Sequence, residues 1–272
     1  MKVNNSLTFT TKKMETIHSE GKCLYCDQTF SRQAINRHLQ KHLTEKAKNN
    51  QPGKSFLVKA EHHPKYGTAP YFLSLWVDGE AKMEDIDNFL RRIWLECCGH
   101  MSSFTIPKNK KKGAMWNLFE AEELLMKGKK LQYEKMMEEA AGEIPMSRKT
   151  KAALYKGLKL DYEYDFGSTT SLQLTVVDGY SVKADDNIVL LSRNEPPEIL
   201  CAICGKEPAV QICTVCYEEN VFCKKCARQH GKTCPDFKDY AAMPVVNSPR
   251  MGVCGYEGGI IDTERDGVYV KR

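Results

Sequence analysis

The chain has 272 residues, of which 42% are hydrophobic and 28% charged, with a formal net charge of +5. That length fits one large domain or two to three small ones. No apolar run approaches the roughly 18 residues that span a bilayer, which excludes a wholly membrane-embedded protein. The first twenty residues are polar and lack a stretch of signal-peptide length, so a soluble, cytoplasmic protein with no membrane partner is expected.

Twelve cysteines then need a reason. Disulfides are rare in reducing compartments, so a Cys-rich chain without an export signal points to metal. Nine of the twelve fall in CxxC pairs or in a string with His, and three stand apart as Cys97, Cys98 and Cys254. The charge is uneven as well. Residues 1–54 carry ten Lys and Arg against four Asp and Glu, a net of +6, and the rest sums to −1. Zinc-bound cysteines are thiolates, so filled metal sites would lower the body to about −4 and leave a basic arm on a mildly acidic body.

Residues 21–43 read GKCLYCDQTFSRQAINRHLQKHL. Cys23 and Cys26 form a knuckle, and His38 and His42, four apart, share one face of a helix. Phe30 and Ile35 supply a small apolar core. The segment resembles the two-Cys two-His zinc finger, a hairpin and a helix around one zinc ion, although eleven residues separate Cys26 from His38, one fewer than the commonest spacing. So short a unit cannot bury enough surface to fold unaided, and zinc must supply its stability. The finger resemblance puts the base-reading positions near Ser31, Ala34 and Arg37. Arg37 is the strong base reader among them, and Arg32, Lys41, Lys46 and Lys48 are placed to meet phosphates. The alternative is a solvated finger docked on its own protein or on a partner. Residues 44–54 (TEKAKNNQPGK) read as a flexible linker.

The body, residues 55–195, mixes strands and helices. Strands are predicted at 56–60 and 71–77, ending at the Asp78-Gly79 turn. Helical periodicity covers 83–97, with Ile86, Phe89, Leu90, Ile93, Trp94 and Cys97 on one face. A strand is expected at 104–106, a long amphipathic stretch at 115–141 and a helix at 149–155 closed by Gly157. Strands follow at 160–166, 171–177 and 187–192. The mixture predicts an α+β fold with a mainly antiparallel sheet, flanked by two small zinc-binding modules. The Lys108–Lys112 run reads as a solvated loop that could extend a nucleic-acid path.

Two passages, IDNFLRRIWLECCGHMSSFTI at 86–106 and YEYDFGSTTSLQL at 162–174, resemble the Ri-plasmid ORF-three-like family of insertion-element passenger proteins. The first is similar to that family's helix followed by a Gly, a His and a Phe, here Gly99, His100 and Phe104. The second is similar to its Tyr-Asp-Phe-Gly signature. Where an aromatic and a His usually follow that signature, this chain has Thr170 and Leu172. The resemblance implies an α+β body and a mobile-element setting, and no particular activity.

Catalysis has eligible groups in His62, His63, His100, Cys97, Cys98 and Asp165, but no complete constellation. Cys97 reads as a small hydrophobe on the apolar face of its helix. Asp165 and Gly167 fit a turn or bulge. No Gly-rich phosphate loop, Ser elbow or paired-carboxylate pattern occurs, so an enzyme is the least favoured reading.

Residues 198–236 hold three CxxC pairs followed by His230 and Cys234, eight ligands for two zinc ions. The string is similar to B-box and HIT-type zinc modules. That resemblance implies interleaved sites, Cys201, Cys204, Cys223 and Cys226 for one and Cys213, Cys216, His230 and Cys234 for the other; sequential pairing is the alternative. With all ligands engaged, both sites read as structural. Residues 237–272 read as an irregular tail in which Cys254 packs or lies free, a ninth metal ligand being the less favoured alternative for a lone Cys.

The expectation is therefore a protein holding three zinc ions. Its favoured role is nucleic-acid binding, DNA ahead of RNA, in a mobile-element or regulatory setting, with Arg32, Arg37 and Lys41 at the interface. The alternative is an adaptor that grips a protein partner through residues 201–234.

Overall fold

A computed structural model describes residues 19–66, 69–107, 123–130, 132–133 and 142–267. The run at 108–112 and most of the stretch at 115–141 lie outside them. Alternating apolar side chains build an eight-stranded sheet: β1 (Glu20–Cys23), β2 (Thr29–Ser31), β3 (Pro52–His62), β4 (Phe72–Asp78), β5 (Ser102–Thr105), β6 (Lys159–Tyr164), β7 (Thr170–Val182) and β8 (Ile188–Asn194). Their order is β2-β1-β8-β4-β3-β7-β6-β5, and every neighbouring pair is antiparallel. Side chains alternate across the pleat, so each strand feeds two cores.

One core holds Phe56, Val58, Leu73, Leu75 and Val77 under Ile86, Leu90, Ile93 and Trp94. The last four come from α2 (Met83–Leu90) and the single wide turn Arg91–Leu95 that continues it. The predicted helix over 83–97 therefore ends early. Its last turn widens to π geometry, and Cys97 lies beyond it in irregular backbone. The other core packs Leu57, Phe72, Trp76, Val182 and Leu191 against Ile35, Leu39 and Leu43 of α1 (Ile35–Lys46). Covered on both faces, β4 is buried at all seven positions.

Two expected boundaries do not exist in the fold. The finger is not a separate module, because β1 pairs with β8 through Gly21–Asn194, Lys22–Arg193 and Cys23–Ser192, and α1 lies on the sheet. The physical reason is the apolar stripe of Ile35, Leu39 and Leu43, which a finger alone cannot bury. Residues 44–54, expected as a linker, are the end of α1, a turn and the start of β3. A short helix, α3 (Thr150–Ala153), stands where 149–155 was predicted.

The C-terminal module has a three-stranded sheet, β9 (Gln211–Cys213), β10 (Val221–Phe222) and β11 (Ala242–Pro244), in the order β10-β9-β11. Helix α4 (Lys224–Thr233) completes it, followed by a second wide turn, Phe237–Ala241. The tail after it is irregular in backbone but not peripheral. Val245, Val246, Asn247, Ser248, Arg250 and Tyr256 are all buried. Arg193 at the end of β8 is fully buried, and its Nη2 donates to Asp266 Oδ1 at 2.7 Å and to the Asn247 carbonyl at 2.5 Å. Ser248 Oγ donates to the Trp94 carbonyl at 2.7 Å, tying the tail to the end of the wide turn. Among the described residues no helix is long and apolar enough to cross a membrane.

Candidate metal centres

The first centre joins the β1–β2 turn to α1. The amide of Asp27 donates to the Cys23 carbonyl at 2.8 Å and that of Cys23 to the Gln28 carbonyl at 2.9 Å, closing the knuckle. One helical turn separates His38 from His42. Cys26 Sγ stands 3.2 Å from His38 Nε2, which stands 3.0 Å from His42 Nε2. His38 stacks on Phe30 with ring centroids 3.9 Å apart. Burial, reinforced by the neighbouring His42 and Lys41, lowers the His38 pKa and favours the neutral ring that a metal needs.

The next two centres share α4. Cys201 and Cys204 meet Cys223 and Cys226 at its start, while Cys213 and Cys216 meet His230 and Cys234 at its end. The grouping is interleaved, because the β9–β10 pairing places the second CxxC beside the far end of the helix. Burial resists ionisation of Cys201, yet the amides of Cys204, Cys223 and Ile203 bring its pKa down to about 6. The opposite happens to Cys226, pushed up to about 12 by burial and by Cys201 and Cys223, and to Cys216, raised to about 11 chiefly by Cys213. Thiols crowded so closely cannot all ionise without a cation to share. His230 stacks on Phe222 with centroids 4.3 Å apart.

A fourth cluster stands where none was expected. Cys97, Cys98, His100 and Cys254 converge: Cys97 Sγ to Cys98 Sγ is 3.6 Å, Cys98 Sγ to His100 Nε2 2.9 Å, Cys98 Sγ to Cys254 Sγ 3.7 Å and His100 Nε2 to Cys254 Sγ 3.2 Å. Cys97, read as a core hydrophobe, does pack half-buried against the core, and its sulfur also stands in this cluster, two residues past the end of the wide turn. Cys254, read as packed or free, is one of its corners. The signal was present in the sequence: CCGH packs three donors into four residues, and Cys254 was the cysteine left over.

In each of the four clusters the donor atoms lie within 4.8 Å of one another. A tetrahedral ion with bonds of about 2.0–2.3 Å sets its ligands about 3.3–3.8 Å apart; the sulfur–sulfur distances of 3.6 and 3.7 Å match that edge, and those to imidazole nitrogen, from 2.9 to 3.2 Å, fall just inside it. Thiolate and imidazole in fours are the donor set of zinc. The residues fit four ions, where three had been expected.

The residues expected at a nucleic-acid interface divide. Arg37 and Lys41 are exposed on α1. Arg32 is not available in the same way: its Nε and Nη2 donate to Glu61 Oε2 at 3.1 and 2.7 Å and its Nη1 to the Ala69 carbonyl at 2.7 Å. It fastens the finger to β3, which corrects its assignment to phosphate. Lys46 and Lys48 are paired with Asp185 and Glu45. Among the catalytic candidates, His63 Nε2 meets Asp161 Oδ1 at 3.0 Å and Asp165 Oδ2 accepts from Arg250 at 2.7 Å.

No protein-family model matches the chain, and no curated protein sequence matches it. A crystal structure of a protein of unknown function, MM3350 from Methanosarcina mazei Go1, is similar at 12% identity and a TM-score of 0.32, over 51% of this chain and 67% of that one. By its own sheet and helices the chain is an α+β protein, and its described residues hold four Cys/His clusters of metal-binding geometry.

Proposed function

We propose that the chain is a zinc-binding protein whose filled centres are structural and whose task is to hold nucleic acid, DNA ahead of RNA. The observation that carries this reading is a pair of exposed basic helix edges. On α1, Arg37 and Lys41 stand one turn apart. On α4, Lys224, Arg228 and Lys232 recur every four residues on an exposed face, and Lys238 joins the last two along a shallow groove with Gly231 and Phe237. None of these six forms an ion pair among the described residues, whereas Lys149, Lys151 and Lys156 are all paired with carboxylates. Unneutralised cations in rows are what phosphate attracts. Four protein donors per ion leave no coordination position for water, which supports a binding role over metal-assisted hydrolysis. The body's resemblance to insertion-element passenger proteins supports a mobile-element or regulatory setting, in the cytoplasm where thiols stay reduced.

Fluorescence anisotropy on labelled duplex DNA and on RNA tests it. With five or six phosphate contacts, affinity should fall about 500- to 2,000-fold between 50 and 200 mM salt. Reversing Arg37 and Lys41, or Lys224, Arg228 and Lys232, should flatten that slope. Binding that ignores salt, or that survives both reversals, would remove the reading. A second reading, an adaptor acting through residues 201–234, is favoured by the exposed Ile203 and Tyr217. It requires a protein partner captured through that module and no effect of the α1 reversal.

A further inference from the structure

Three of the clusters are assembled within one stretch of chain, but the fourth is assembled by the fold. Its Cys98 and Cys254 are 156 residues apart in sequence. Two local features aim the donors. Gly99, at φ +75°, takes a left-handed turn that its amide secures on Glu96 Oε1 at 2.5 Å, returning His100 toward Cys98. Cys254 itself sits at φ +48° between Gly252 and Gly255, both also at positive φ. A non-glycine residue in that region is uncommon, and here it presents the sulfur to the cluster.

The surroundings are those of a metal site. Arg250 is fully buried, and its Nη2 reaches Cys97 Sγ at 3.4 Å while donating to Asp165 Oδ2 at 2.7 Å; its Nη1 donates to the Ser168 carbonyl and to Thr170 Oγ1, both at 3.1 Å. Three thiolates, one imidazole and Zn2+ sum to one negative charge, and the buried guanidinium of Arg250, itself paired with Asp165, turns a charged N–H donor to one sulfur. Asp165 Oδ2 lies 3.5 Å from His100 Nε2, at the edge of the same group. The first cluster buries Cys23, the second Cys201 and Cys223, and the third Cys213, whereas the fourth has no buried donor, and its Cys98 and Cys254 are exposed.

We propose that Cys97, Cys98, His100 and Cys254 hold a fourth zinc ion that clasps the C-terminal segment to the body, and that this ion exchanges most readily of the four. The inference rests on the zinc-binding reading and is independent of nucleic acid. Losing the ion frees residues around Cys254 while Arg193 and Arg250 keep the rest of the tail docked. Because two of its donors are exposed and none is buried, a chelator reaches this ion before the others.

Native mass spectrometry of the full chain tests the count. Wild type should carry four zinc ions, Cys254→Ser three, and Cys254→His, which restores a donor, four. Hydrogen exchange follows the clasp: removal of the first ion by EDTA should speed exchange across 251–256 about tenfold or more, and Cys254→Ser should exchange that fast beforehand. Equal metal counts in wild type and Cys254→Ser overturn the site, as does recovery of Cys254 in a disulfide with Cys98. A first ion lost without faster exchange at 251–256 overturns the clasp. A wild-type count of three would leave the other three centres standing.

Discussion

The sulfur of Cys254 lies 3.7 Å from that of Cys98 because two buried arginines have already docked the tail that carries it. Arg193 holds Asp266 and Arg250 holds Asp165, and both guanidiniums are fully enclosed. A buried pair broken on one side leaves a charge without a partner. Asp266→Asn should therefore destabilise the protein by about 3–5 kcal/mol, read by chemical denaturation. A loss below about 1 kcal/mol would mean that other groups, Asp262 first among them, carry the charge of Arg193.

The union of finger and sheet predicts a global effect from a finger residue. Leu39 is fully buried between α1 and the sheet. Leu39→Ala should lower stability by about 2–5 kcal/mol, in one cooperative transition that includes the fluorescence of Trp76. If the finger melted alone and left that signal in place, it would be an independent module after all.

Interleaving is testable by paired substitutions. Cys201 and Cys223 share one centre, and Cys213 belongs to the other. Changing Cys201 and Cys223 together to Ser should remove one zinc ion, and changing Cys201 and Cys213 should remove two. Sequential pairing demands the reverse counts.

Acid should undo the fastening at Glu61. Burial works to raise this carboxyl, but hydrogen bonds from Lys59 and Arg32 hold it below its ordinary value. A carboxyl depressed in the folded state adds stability above its unfolded pKa, about 4.3, and that stability fades as pH falls through the lower folded value. Glu61→Gln should cost roughly 1–2 kcal/mol at pH 7, and the gap from wild type should shrink below about pH 4. A gap that widened toward acid would contradict the ion pair.

Metal removal should act unequally. The finger centre lies against the core that holds Leu57 and Trp76, so His42→Ala should lower the stability of the whole sheet by about 4 kcal/mol or more, as loss of an ion held at a thousand times its Kd implies. Thermal melts with and without chelator measure it. An unchanged melt would deny the centre its structural role.

Much of this architecture is written in short-range order. Cys23, Cys26, His38 and His42 are recognisable because a tight turn and one helical repeat bring four donors together within twenty residues. The same locality exposes the string from Cys201 to Cys234. Strand β6 shows through as an alternating apolar run, and β4, buried on both faces, as a nearly continuous one. Periodicity overran at Cys97 because a helical repeat of apolar residues cannot register the wide turn at Arg91–Leu95 that ends the helix. Leu43 was a missed clue: it extends the stripe of Ile35 and Leu39 beyond anything a lone finger can bury.

By itself the sequence determined which side chains can ligate a metal and which of them meet through a turn or a helix, since those geometries depend only on residues a few positions apart. Only the tertiary structure decided that the finger is part of the sheet, that Arg32 serves the fold, and that Cys254 joins Cys97, Cys98 and His100. Those outcomes depend on contacts across 29 residues at Arg32 and 156 at Cys254, and no local pattern encodes such a closure.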